Sequence, residues 1–206
     1  FLSDCLDSIR AQRDIDLDYI VVDPGSTDGS RDLINAVGPL VTHRVFEKDD
    51  GPADGLNRGF ALATGTVFGF LNADDVLLPG ALAHASQFLE QHPEVDVVSG
   101  HGFMLNERGQ IVRRAYSDAM DLSAYALGAR VLFQQGTFFR ASAFNAIGGF
   151  NVSNRLCWDG ELFGDMAAAG LRFALTNRFL GGFRIHSTNL TGTARFRCEY
   201  VRYRQK

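Results

Sequence analysis

Three times within its first ninety residues the chain repeats one unit: a short apolar run that stops at an acid, a turn, then an apolar stripe at helical spacing. Leu17-Asp18-Tyr19-Ile20-Val21-Val22 stops at Asp23, and Leu33, Ile34 and Val37 mark a helix beyond the turn from Pro24 to Ser30. A second run, Thr42 to Phe46, enters Glu47-Lys48-Asp49-Asp50-Gly51-Pro52, with Leu56, Phe60 and Ala63 behind it. The third, Thr66 to Leu71, ends in Asn72-Ala73-Asp74-Asp75, with Leu78, Leu82, Ala85 and Leu89 behind it. Nearly continuous apolar runs suit strands buried on both faces, and parallel neighbours need a crossover connection, usually a helix. The repeat predicts an α/β fold wound like a nucleotide-binding sheet. It also sets Asp23, Asp50 and Asp74 on one edge, at the carboxyl ends of strands, where open α/β sheets bind ligands.

Leu2, Cys5, Leu6 and Ile9 predict an amphipathic helix over residues 1 to about 12. Past residue 94 the rhythm changes. Val95 to Gly100 reads as a strand, and Gly102 to Leu105 and Gln110 to Val112 flank a hairpin turn at Asn106-Glu107-Arg108-Gly109. A helix is expected over 121–129, a strand over Phe133 to Phe139, a helix from Asp159 to Ala169 closed by Gly170, and a strand from Phe179 to about His186. With 206 residues, 46% of them hydrophobic, the chain can bury one substantial core. We expect a single domain over 1–206, with one half at about 1–100 and a mixed half at about 101–206.

A net charge of −4 argues against a nucleic-acid binder working through a broad basic surface. Basic residues gather only at Arg195, Arg197, Arg202, Arg204 and Lys206, either a solvated terminal face or a membrane-surface contact. Cys5, Cys157 and Cys198 have no redox or metal-ligand spacing and fit a reducing compartment. No apolar run approaches a membrane span and no signal segment is visible, so the expected location is cytoplasmic, with peripheral membrane contact through the basic C-terminus as an option.

Adjacent carboxylates repel, so a site that keeps Asp74 and Asp75 both ionised supplies a cation, and oxygen ligands suit Mg²⁺ or Mn²⁺. The alternative is a turn and a helix cap before Pro79. Asp23 and Asp50 carry the same alternative, because Asp before Pro-Gly or Gly is common in turns.

In order, Val22-Asp23-Pro24-Gly25-Ser26-Thr27-Asp28-Gly29-Ser30, Asp50-Gly51 with Asn57-Arg58-Gly59, and Leu71-Asn72-Ala73-Asp74-Asp75 with Leu78-Pro79 resemble the family 2 glycosyltransferases. Gln135-Gly136-Thr137-Phe138-Phe139-Arg140, Gly148-Gly149-Phe150, Trp158-Asp159 and Phe183-Arg184-Ile185-His186 extend the resemblance over almost the whole chain. It implies a Rossmann-like fold of the GT-A type. The implied activity is inverting, metal-dependent transfer, hexosyltransferase-like, from a nucleotide-diphosphate sugar, a UDP-sugar as best guess, to a saccharide, lipid-linked or other hydroxyl acceptor, as in polysaccharide biosynthesis. By resemblance residues 1–100 bind the nucleotide sugar, and 101–206 carry the acceptor side and the base.

The resemblance places Asp74 at the metal-ligand position, with His186 and Arg184 able to reach the metal or diphosphate from one strand face. Asp23, Asp50 and Asn72 fall on the nucleotide side, and Gln135 and Thr137 on the acceptor side. Asp75 either orients the acceptor or caps the next helix, and Trp158 either stacks on a sugar or belongs to the core. Asp159 matches the catalytic base. Its alternative is a helix-start carboxylate whose pKa the macrodipole lowers; Glu161 is the fallback. Asn72 stands where the family usually has an acid and adds no charge. Members usually begin with a strand before the helix at Leu2, so the chain either omits residues or is a truncated relative. A nucleotide-sugar or saccharide-binding module without turnover is the other reading, and a nucleotidyltransferase a third.

Overall fold

Leu2, Cys5, Leu6 and Ile9 lie on one face of α1 (Leu2–Arg10), and that face serves two cores at once. Cys5 and Ile9 pack with Leu77, Ala81, Ala85 and Leu89, whereas Leu6 packs with Val37 and Val41. The computed structural model describes residues 1–189. After α1 come β1 (Tyr19–Val22), α2 (Ser30–Ala36), β2 (Val41–Val45), α3 (Pro52–Leu62), β3 (Val67–Phe68), β4 (Val76–Leu77) and α4 (Ala81–Gln91). The second half adds β5 (Val97–Leu105), β6 (Ile111–Ala115), α5 (Leu122–Ala126), β7 (Thr137–Arg140), α6 (Ala141–Ala146), α7 (Trp158–Ala168) and β8 (Phe173–Arg184).

The α/β class holds, but the strands divide differently from the expectation. β1 and β2 pair in parallel as a two-stranded sheet of their own. The third run joins a six-stranded mixed sheet ordered β3-β7-β5-β8-β4, with β6 on the free part of β5. Only Val67 and Phe68 of the expected strand Thr66 to Leu71 are paired, antiparallel to Arg140 and Phe139. Between β1 and the 66–71 segment lies a cavity of about 350 Å³ walled by Tyr19, Val21, Phe60, Val67, Leu71 and Phe138, among others. No backbone hydrogen bond joins the two sheets among the described strands; α1 and α3 span them.

Close approach positions α3. A Cβ on Gly59 would lie 3.0 Å from a Val22 methyl, so Gly55 and Gly59, one turn apart, let the helix backbone settle on β1. The aromatic core forms on the other side, where Phe60, Phe68, Phe139, Phe144 and Phe150 meet with ring centroids 4.7 to 6.4 Å apart. The hairpin around 106–109 is present as β5 and β6, and α7 begins at Trp158. Two expectations need correcting. The helix over 121–129 is only α5, and the strand from Phe133 begins at Thr137 after a 3₁₀ turn at Gln134–Gly136. No helix among the described residues is long and apolar enough to cross a membrane. Cys5 and Cys157 are buried. Cys198 and the basic cluster from Arg195 to Lys206 lie outside the described residues.

Candidate active site

Asp74 lies within a tight turn in which the Asp75 N–H donates to the Asn72 carbonyl, 3.1 Å. Its Oδ2 lies 2.9 Å from His186 Nε2, just past β8, and Asn189 Nδ2 approaches both, at 3.3 Å and 3.0 Å. Thr188 Oγ1 meets the other ring nitrogen at 2.8 Å. Asp74 opens onto a cavity of about 780 Å³ lined also by Phe1, Ser3, Ala73 and the Asp28-Gly29-Ser30 turn that enters α2. The turn after β1 and the 73–74 segment thus share one hollow, but Asp23 and Asp50, expected on the same edge, are not among its lining residues.

The residues behind Asp74 are interior ones. Asp75 is fully buried: Oδ1 accepts from the Arg184 N–H (2.9 Å), and Oδ2 from Gln135 Nε2 (2.7 Å) and Asn72 Nδ2 (3.3 Å). Burial, with the neighbouring Asp74 charge adding to it, pushes its carboxyl up to about 7 against those donors. Asp75 therefore neither reaches an acceptor nor caps α4, whose N-cap is Gly80. Gln135 and Thr137 are likewise internal; Thr137 bonds to Ser99 and to the Phe133 carbonyl. Expected on the acceptor side, these polar side chains are buried and bonded to interior partners. Gln134, donating 2.7 Å to the Phe70 carbonyl, completes the clamp on the 70–75 segment.

Arg184, expected to reach the metal or diphosphate, is also an interior residue. It is 1% exposed, and its guanidinium donates to the Asp74 carbonyl (2.8 Å), Asp4 Oδ2 (2.8 Å) and the Asn106 and Glu107 carbonyls, under the Phe1 ring. Those bonds use four of its five N–H groups, and burial keeps the guanidinium from the cavity. Arg184→Met removes the cation but keeps the bulk, leaving buried carbonyls unpaired. The expected loss is on the order of 2–3 kcal/mol of stability, read as a shifted urea midpoint with unchanged slope.

Asp23 is buried and bound within its own loop, with Gly25 and Ser26 N–H and Arg31 Nε as donors (2.9 to 3.2 Å). Burial raises its carboxyl, but these donors outweigh burial and bring it down to about 2. A carboxyl depressed from about 4 contributes stability fully present above its unfolded value and lost as pH falls toward 2. Wild type should lose on the order of 1–2 kcal/mol between roughly pH 5 and 2 that Asp23→Asn does not show; chemical denaturation at stepped pH reads the difference. Asp50 is exposed, beside the start of α3. Its neighbour Gly51 faces Arg155, where a Cβ would come within 2.7 Å of Nη1.

Asp159 lies in the first turn of α7, accepting from the Gly160 N–H at 2.8 Å. Burial raises its carboxyl, outweighing the backbone hydrogen bond from Gly160 that lowers it. Trp158 packs edge-on against Phe150 (5.6 Å) and tilted on Phe70 (5.4 Å), half-buried in the aromatic core, and ties the start of α7 to the segment that leads into Asp74. Glu161 accepts from Asn151 and Asn154 (3.0 and 2.6 Å), holding the loop before α7. Sequence reasoning missed Asn189, Asp4 and Arg155. Asn189 carried a local cue: three residues after His186, it accepts from the His186 N–H at 2.7 Å, closing a turn.

Residues 1–148 match the family model described as Glycosyl transferase family 2. The chain belongs to that family. It is 36% identical over 163 residues to the PGL/p-HBAD biosynthesis glycosyltransferase of Mycobacterium bovis (strain BCG / Pasteur 1173P2), covering 75% of this chain and 60% of that one. Among solved structures it is similar to S. aureus TarS 1-349 in complex with UDP-GlcNAc, with a TM-score of 0.74 at 18% identity over 99% of this chain and 61% of that one. It is also similar to the mannosyltransferase PcManGT from Pyrobaculum calidifontis in complex with GDP-Man and Mn2+, with a TM-score of 0.72 at 18% identity over 98% and 58%. The fold is thus of the GT-A, Rossmann-like type. The chain spans about three fifths of the length of the curated relative.

Proposed function

We propose that the chain transfers a sugar from a nucleotide-diphosphate sugar to an acceptor hydroxyl with inversion, a UDP-sugar being the expected donor. The observation that carries this reading is Asp74, which lines the cavity together with the Asp28–Ser30 turn and meets His186 through its Oδ2. Asp74 and His186 offer one oxygen and one nitrogen ligand. Mg²⁺ and Mn²⁺ sites in nucleotide enzymes use few protein ligands and take the rest from phosphate and water, so two fit although no larger group exists among the described residues. When bound, such an ion neutralises charge on the departing diphosphate.

The chain's own groups do the rest. The Ser30 and Gly29 turn lines the hollow where the nucleotide lies. Arg184, Asp75 and Gln135 fix the 72–75 turn from behind, so Asp74 has little freedom to lose when it binds. Asp159, with its carboxyl raised by burial, takes the acceptor hydroxyl's proton as that oxygen attacks opposite the leaving group. A thermal-shift panel of nucleotide sugars with Mn²⁺, followed by product detection with the donor that stabilises most, tests the reading. Binding without product under any acceptor would favour the non-catalytic module instead. No stabilisation by any nucleotide sugar would count against both.

A further inference from the structure

β6 is an edge strand of the six-stranded sheet, held on β5 where β5 also pairs with β8, and it stands exposed. β6 pairs only with β5 among the described strands, and its residues 111–114 are all exposed. Ile111 is 60% and Val112 59% exposed, and Tyr116, just past the strand, 56%. Consecutive strand residues point to opposite faces, so Ile111 and Val112 put an aliphatic side chain on each side of the ribbon, and Arg113 and Arg114 put a cation on each side. Residues 106–116 hold three arginines against one glutamate in a chain whose net charge is −4.

This composition selects the occupant. A second copy adding its β6 along the same edge would bring the paired arginines of both copies together, and like charges across a ladder destabilise it. A partner protein would cover one face and leave the other aliphatic residue wet. An anionic lipid surface accommodates both faces, the aliphatic residues entering the headgroup region with arginines around them and Tyr116 at its level. The ribbon is also placed to matter. Its turn abuts the site, with the Asn106 and Glu107 carbonyls 3.5 and 3.4 Å from Arg184 Nη1 and Glu107 Oε1 accepting from the Ser187 N–H at 3.4 Å.

We propose that the β5–β6 ribbon is an anionic-membrane docking element that sets the Asp74 cavity at a lipid surface, so that the acceptor hydroxyl is carried by a lipid. The docking is independent of turnover; the acceptor class rests on the glycosyltransferase reading.

The test is co-sedimentation of the full chain with vesicles of phosphatidylcholine and phosphatidylglycerol at about three to one, against phosphatidylcholine alone. Wild type should bind the anionic vesicles and not the neutral ones. Arg113→Gln with Arg114→Gln should weaken binding about tenfold, and Ile111→Ser with Val112→Ser should reduce it to background. Both pairs are exposed, so an unchanged melting temperature shows that the fold is intact. A variant with Arg195, Arg197, Arg202 and Arg204 changed to Gln should retain binding. The proposal is overturned if wild type ignores anionic vesicles, if only the C-terminal variant loses binding, or if sedimentation equilibrium shows a dimer that Ile111→Ser with Val112→Ser dissolves. Vesicle binding does not depend on catalysis, so failure of the transfer reading leaves this result standing on its own.

Discussion

Asp74→Ala should weaken Mn²⁺-supported binding of a nucleoside diphosphate about 100-fold, on the order of 3 kcal/mol, when the affinity is measured by calorimetry. In excess chelator, wild type and variant should bind alike and weakly. The size of the effect follows from geometry: Asp74 is the only carboxylate among the residues lining the cavity that pairs with an imidazole there. The neighbouring carboxylate cannot substitute for it, because Asp75 is buried and committed to Arg184, Gln135 and Asn72. Equal affinity in wild type and Asp74→Ala would remove the metal assignment. It would leave the fold and family untouched.

Asp159→Asn is expected to keep nucleotide affinity within about twofold while the transfer rate falls by roughly 10²–10⁴. The same substitution should make the protein more stable at neutral pH. Burial raises the Asp159 carboxyl, so the folded state binds its proton more tightly than the unfolded state does. Stability therefore falls as pH rises from the unfolded value through the folded one, and an uncharged amide removes that penalty. Melting temperatures should converge for the two proteins in acid and diverge toward neutrality, Asp159→Asn the higher. The rate of wild type should fall on the acid side with a midpoint above the ordinary carboxylate range, since the base must be ionised. Full activity in Asp159→Asn would exclude it as the base.

Much of the fold was legible because helices and hairpins are written locally. The stripe Leu2, Cys5, Leu6, Ile9 and the turn Asn106 to Gly109 each contain their own instructions, and both elements stand where the spacing puts them. Strand partners are not written locally. Thr66 to Leu71 has the composition of a central strand, yet how much of it pairs depends on Phe139 and Arg140, seventy residues on. For the site, the sequence offers the polar residues near strand ends as one group and does not separate them by depth. A buried network needs the same Asp, Gln, Thr and Arg side chains as a ligand pocket does. Only burial distinguishes Asp74, which faces the cavity, from Asp75, Gln135, Thr137 and Arg184, which brace it. Asp159 shows a related gap: the helix start argues for a lowered carboxyl, and the packing that raises it comes from distant sequence.

The separation of the two sheets also bears on motion. With no ladder hydrogen bonds between the described strands of the two sheets, only the packing of α1 and α3 holds β1, β2 and α2 to the larger sheet, and their amide hydrogens should exchange at lower free energy than those of the larger sheet. The hollow at Asp74 straddles that seam, with Asp28 to Ser30 on one side and Ala73 and Asp74 on the other. A molecule that holds both sides acts as a staple, and its affinity includes the work of closing the seam. Amide protection in β1 and β2 is thus a gauge of occupancy, read far from any atom that reacts.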